Sequence, residues 1–258
     1  MKRHGIVSPP DRPKDLFLSS RKLILKEKIE MKILAVSDEE CPALCDFYVP
    51  GRLDDYDLIL SCGDLKPSYL RFLVTMSHAR LLYIHGNHDG RYAEDPPAGC
   101  DDIDGQLVTY NGVRILGLGG CLWYHDGPYQ YTEAEMARRI RKIRHAIRKA
   151  GGVDIVITHA APKDLGDLDD PAHRGFQAFV DLIDTYHPLY FLHGHIHQRY
   201  GHRLPREHRR ENTRIINVSE RYEFDYEAPA DRNAEIVRIT RQRRELENLI
   251  FGEYQGEN

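Results

Sequence analysis

The apolar runs of this chain end in a common way. MKILAVSD (31–38) closes on Asp38, and DLILSCGD (57–64) closes on Asp64. LLYIHGNHD (81–89) closes on Asn87, His88 and Asp89. VDIVITHA (153–160) delivers His159, and LYFLHGHIH (189–197) delivers His195 and His197. Each run is short, rich in Ile, Leu and Val, and apolar at successive rather than alternate positions. That is the pattern of a strand covered on both faces. One strand ending in a His or an Asp is ordinary turn or cap chemistry. Five such ends bring polar, metal-capable side chains to one edge.

Helix-like segments lie between several of these runs. Residues 67–77 begin with Pro67, and residues 132–150 begin with Thr132 and Glu135 at capping-box spacing, with Gly151 as a stop. Residues 175–186 place Phe176, Phe179, Val180 and Ile183 on one stripe. Asn111-Gly112 reads as a hairpin turn within LVTYNGVRILGLGG (107–120), and TRIINVS (213–219) and AEIVRI (234–239) add strands. The chain therefore reads as α/β in one domain, with ligand chemistry beyond the carboxyl ends of the strands. Residues 1–30 are proline-containing and carry a net +4, from eight Lys/Arg and four Asp/Glu, and read as a flexible arm. The domain is expected over 31–222. Loop-like sequence starts near 222, and a strand and helix complete or flank the domain over 223–258.

The net charge of −4 leaves −8 on residues 31–258, which argues against non-specific nucleic-acid binding. No apolar run reaches the length of a membrane span. Five cysteines without a CxxC pair point to reduced thiols and a cytoplasmic setting.

Carboxylates grouped with imidazoles suit first-row divalent ions, and no thiolate set suggests structural zinc. The candidate donors outnumber what one ion needs, so two ions sharing a carboxylate fit the count. The series D-x-E (38–40), G-D (63–64), G-N-H-D (86–89), T-H (158–159), G-H-x-H (194–197) resembles the calcineurin-like metallophosphoesterase superfamily. The resemblance spans 31 to about 220.

It implies a four-layer αββα sandwich of two mixed sheets flanked by helices. It also implies a phosphatase or phosphodiesterase hydrolysing a phosphate ester through a hydroxide that bridges two divalent ions. Asp64 would bridge both ions. Asp38, His197 and Glu40 would hold the first, and Asn87, His159 and His195 the second. His88 would protonate the leaving oxygen, with Asp89 orienting its ring.

Glu40 stands where the family has a histidine. Three carboxylates then face two ions, which predicts a less acidic water and tilts the preference toward Mn or Fe. Some members of the superfamily keep the fold as protein-binding scaffolds, and Glu40 is the feature that favours that alternative. His88 argues against it.

Arg174 is a candidate phosphate clamp and His125 a candidate substrate contact. Residues 119–131, with the only Trp, read as a loop at the pocket mouth or a hydrophobic plug. The stretch 132–150 carries many Arg and Lys and reads as a solvated amphipathic helix, the alternative being a surface for a nucleic acid or an acidic partner. Neither substrate nor oligomeric state is written in the sequence.

Overall fold

The computed structural model describes residues 30–198 and 204–229. One sheet holds β1 (Glu30–Ser37), β2 (Leu58–Ser61), β3 (Arg80–Tyr83) and β4 (Asp101–Asp102), all parallel. A later strand, Glu220–Glu227, pairs antiparallel with β1 and closes that edge. The second sheet begins with β5 (Leu107–Tyr110) and β6 (Val113–Leu118), which form the expected hairpin. Asn111 (φ 46°) and Gly112 (φ 83°) make its turn, both in the left-handed region that a two-residue hairpin loop demands. The short strands β7 (Cys121–Leu122) and β8 (Gln130–Tyr131) pair with each other. The second sheet continues with β9 (Ile155–Thr158), β10 (Tyr190–His193), β11 (Glu207–Arg210) and β12 (Thr213–Asn217). Its order is β11-β12-β10-β9-β6-β5, and the strand at Glu220–Glu227 is β13.

Three apolar clusters explain why the runs lack alternation. Ile33, Ala35, Leu58, Leu60 and Leu82 pack against Ile115, Ile155, Ile157, Leu192 and Ile216, which fills the space between the sheets. Leu34, Val36, Ile59 and Leu81 point the other way, onto Tyr69, Leu70 and Leu73 of α1 (Pro67–Thr75). On the far side, Leu116, Val156, Phe191 and Ile215 pack under α2 (Glu133–Lys149) and α3 (Gln177–Tyr186). Both faces of each central strand are therefore buried, at roughly 1.5–3 kcal/mol for each large side chain. The expected helix, sheet, sheet, helix layering follows.

The cap of α2 forms as the sequence spacing predicts. The Thr132 side chain accepts from the Glu135 backbone N–H, and the Glu135 carboxylate accepts from the Thr132 N–H. The buried fork pair Arg114–Asp154 (2.8 Å) ties β6 to the start of β9, at the end of the sheet away from the polar edge.

Two expectations change. The stretch from 222, read as loop, is strand through Glu227, because Phe224 and Tyr226 reach the core between the sheets. Charged residues alternate with them on the outer face and hide the strand signal. Residues 119–131 are more than a loop: the β7/β8 ribbon buries Cys121 and leaves Trp123 55% exposed. Of the expected terminal arm (1–30), Glu30 instead opens β1 and residues 1–29 lie outside the described residues, as do the strand 234–239 and the rest of the C-terminal segment. Among the described residues, no helix is long and apolar enough to cross a membrane.

Candidate metal centre

The strand ends β1, β2, β3, β9 and β10 open onto one edge, and their loops approach at backbone distance. A Cβ on Gly86 would stand 2.0 Å from Asp64 Oδ1, and one on Gly194 would stand 2.0 Å from Ser37 Oγ and 2.7 Å from Asp38 Oδ2. The glycines preceding Asn87 and His195 are thus fixed by close packing of loop on loop. Asp38 (φ 64°), Asp64 (φ 57°) and His195 (φ 67°) all adopt the left-handed backbone conformation. Such conformations cost of order 1 kcal/mol each in a non-glycine residue and concentrate at functional sites.

Three imidazoles are each anchored through one nitrogen. His159 Nδ1 donates to the Cys62 carbonyl (2.8 Å), and His195 Nε2 donates to the Ala172 carbonyl (2.7 Å). His197 Nδ1 meets Glu39 Oε1 at 2.9 Å. Anchoring of this kind orients a ring, as it does in metal-binding histidines. Asp64, His159 and His195 bring one donor atom each within 4.8 Å of one another. His159 Nε2 also lies 3.1 Å from Asp64 Oδ2 and 3.1 Å from Asn87 Oδ1. The Asp38 carboxylate accepts the His195 backbone N–H at 2.9 and 3.1 Å.

Charge inside the cluster calls for a cation. Burial works against a charged His159, but Asp64 and then Asp38 raise it to about 9, so a proton sits among the oxygens. Burial pushes Asp64 up, and His159 with the His88 N–H outweighs it, bringing the carboxyl down to about 2. Burial, with His159 nearby, lowers His195 to about 3 and keeps it neutral, the form that binds metal. The Glu40 carboxylate is engaged through Oε1 with the Lys66 ammonium at 3.2 Å. Neutral or neutralisable imidazoles and clustered carboxylates fit divalent cations.

His88 stands apart from these donors. Its ring is 73% exposed, with Nε2 4.0 Å from Asp64 Oδ2. Asp89 takes another part than the one expected. Its Oδ2 accepts the backbone N–H of Gly86 (2.7 Å) and of Asp64 (2.8 Å), so it ties two ligand loops together rather than holding the His88 ring. Burial and the nearby Asp64 charge push its carboxyl up to about 6.

The two substrate candidates make contacts within their own loops. Arg174 is exposed and donates to the Asp169 carbonyl, and exposed His125 turns onto the Asp126 carbonyl of its own loop. Their neighbours come closer: His173 lies 5.2 Å from the His195 ring, and the Tyr124 hydroxyl lies 3.5 Å from Asn87 Nδ2. The sequence reading missed Glu39 because a carboxylate beside Asp38 carries no sign that His197, 158 residues on, is its partner.

A family model for the calcineurin-like phosphoesterase superfamily domain matches residues 31–220. The chain belongs to this superfamily. Its members are generally hydrolytic phosphoesterases and typically bind divalent metals. No curated protein matches this chain. A solved crystal structure superposes with a TM-score of 0.57 at 14% identity, over 76% of this chain and 95% of the other. The protein TT1561 of Thermus thermophilus superposes with a TM-score of 0.51 at 15% identity, over 74% of this chain and 90% of its own. Both likenesses concern the fold: two large mixed sheets with few helices.

Proposed function

We propose that this protein is a dinuclear-metal phosphoesterase that hydrolyses phosphomono- or phosphodiesters. Asp38, Glu40, Asp64 and His197 would hold one ion, and Asp64, Asn87, His159 and His195 the other. The oxygen-rich set favours manganese or iron. When bound, such ions acidify water and neutralise phosphoryl oxygens.

The observation that carries this reading is the convergence of Asp64, His159 and His195, whose donor atoms lie within 4.8 Å of one another, with the two rings anchored on the Cys62 and Ala172 carbonyls. His88 supports the catalytic reading. It stands exposed beside Asp64, at a groove of about 420 Å³ that Lys66, Ser68, Arg71 and Arg91 also line. From there its imidazolium gives a proton to the leaving oxygen. Asp89 keeps the loops of Asp64 and Gly86 at fixed spacing, which holds His88 and Asn87 in place. Arg91 supplies positive charge to the groove, while Arg71 is committed to Asp95.

The test is hydrolysis after metal stripping, with Mn, Fe, Ni, Zn or Mg added back one at a time. p-Nitrophenyl phosphate and bis-p-nitrophenyl phosphate are offered in parallel. Metal-dependent turnover is expected, and the preferred ester separates monoesterase from diesterase. Absence of both turnover and tight metal uptake would sink the proposal.

A further inference from the structure

The solvent face of α2 is strongly and one-sidedly charged. Arg138, Arg141, Lys142, Arg144, Arg148 and Lys149 are all exposed, while Met136, Ile143 and Ile147 are buried on the opposite side. Arg139 is not part of this face. Its guanidinium bonds Asp104 and the Gly119 carbonyl and lies over the Tyr131 ring. The helix has two acids, Glu133 and Glu135, and both are spent at helix ends. Glu135 closes the cap of α2, and Glu133 accepts the backbone N–H groups of Gln177 and Ala178 at the start of α3. Among the described residues, none of the six cations is in salt-bridge contact with an acid.

Arg138 with Lys142 and Arg144 with Arg148 are like charges four residues apart, a spacing that destabilises a helix. A merely solvated helix face usually mixes signs. This one retains repulsion over most of a 17-residue helix, about 25 Å long.

The face narrows the kind of partner. Between its cations it offers only Ala and His145, with no aromatic or large apolar side chain, so it lacks the apolar core of a protein interface. Its apolar stripe is buried in the domain, so nothing is left to insert into a lipid surface. Four of the six cations are arginines, whose guanidinium matches phosphate oxygens in pairs. We infer that α2 is a docking surface for the sugar–phosphate backbone of a nucleic acid, read without base specificity. The acidic net charge argues against binding spread over the whole surface. It does not argue against a segregated basic face, and it confines attraction to that face.

The test uses the full chain and labelled DNA and RNA duplexes of about 20 base pairs, long enough to cover the helix at about 3.4 Å per base pair. Anisotropy is followed across a salt series. Binding is expected to weaken about 100-fold between about 50 and 200 mM salt, the slope for about four neutralised phosphates. Arg141→Glu with Arg148→Glu should lower affinity at least about tenfold, and the Ala pair should lower it less. Both sites are exposed, and either change relieves like-charge repulsion, so the melting temperature should hold. No binding at low salt overturns the inference, as does equal binding by the double variants. Tighter binding of poly-glutamate or of phosphatidylserine vesicles than of the duplexes also overturns it.

Discussion

The imidazole of His197 and the carboxylate of Glu39 meet at 2.9 Å, across 158 residues of sequence. The contact engages His197 Nδ1 and orients the ring. Losing such an outer partner typically costs 10–100-fold in metal affinity or activity. Glu39→Ala should therefore weaken uptake of one ion by about 10–100-fold, while the other ion, held by donors Glu39 does not touch, binds as before. Titration calorimetry with Mn resolves the two. Unchanged uptake of both would remove Glu39 from the centre.

His88 should be separable from metal binding. His88→Ala is expected to lower kcat by about 10²–10⁴ with metal content unchanged. The side chain is exposed, so stability should stay within about 0.5 kcal/mol. Steady-state kinetics beside metal analysis checks this, and a loss of bound metal would assign His88 to the donors.

Glu40 gives the site an extra negative charge. Glu40→His removes it, which should make the water at the ions more acidic and move the acid limb of the pH–rate profile to lower pH. An acid limb that stays in place would mean that Glu40 serves only Lys66.

Gly86 leaves no room for a methyl group, since a Cβ there would stand 2.0 Å from Asp64 Oδ1 and 2.6 Å from the Asp64 nitrogen. Gly86→Ala should destabilise the fold by about 1–3 kcal/mol and displace the Asp64 carboxylate. Denaturant titration reads the first effect and metal uptake the second. Wild-type values of both would contradict the close approach.

Asp104 anchors the opposite side of the β7/β8 ribbon. Its Oδ1 accepts from Gly119 N–H at 2.6 Å and from Arg139 at 2.5 Å, and its side chain is 13% exposed. Burial raises its carboxyl, but the His85 imidazole and the Arg139 charge outweigh burial and hold it below the ordinary 3.8. A lowered carboxyl stabilises the fold fully above its ordinary value, and the contribution is lost as pH falls through the lower folded value. Asp104→Ala should cost about 3–5 kcal/mol near neutrality. The difference from wild type should shrink below pH 3.8. Denaturant melts at several pH values test the sign, and a difference that grows in acid would refute it.

The strands, and the positions of Asp38, Asp64, Asn87, His159 and His195 at or just beyond their ends, were legible in the sequence because both are local. Burial on two faces removes alternation from runs such as MKILAVSD. The capping box of α2 was legible for the same reason, being complete within four residues. The partners of those residues were not legible. Glu39 against His197, Asp89 between Gly86 and Asp64, and the carbonyls of Cys62 and Ala172 on two histidines are contacts between loops distant in sequence or made by backbone atoms that every residue has. Charged residues alternating with Phe224 and Tyr226 disguised β13, whose buried face is defined by the core between the sheets, including the Tyr190 ring of the other sheet. By itself the sequence determined which side chains reach the edge. Only the tertiary structure decided which carbonyl or carboxylate holds each imidazole, because those contacts are hydrogen bonds closed between loops that the two sheets bring together.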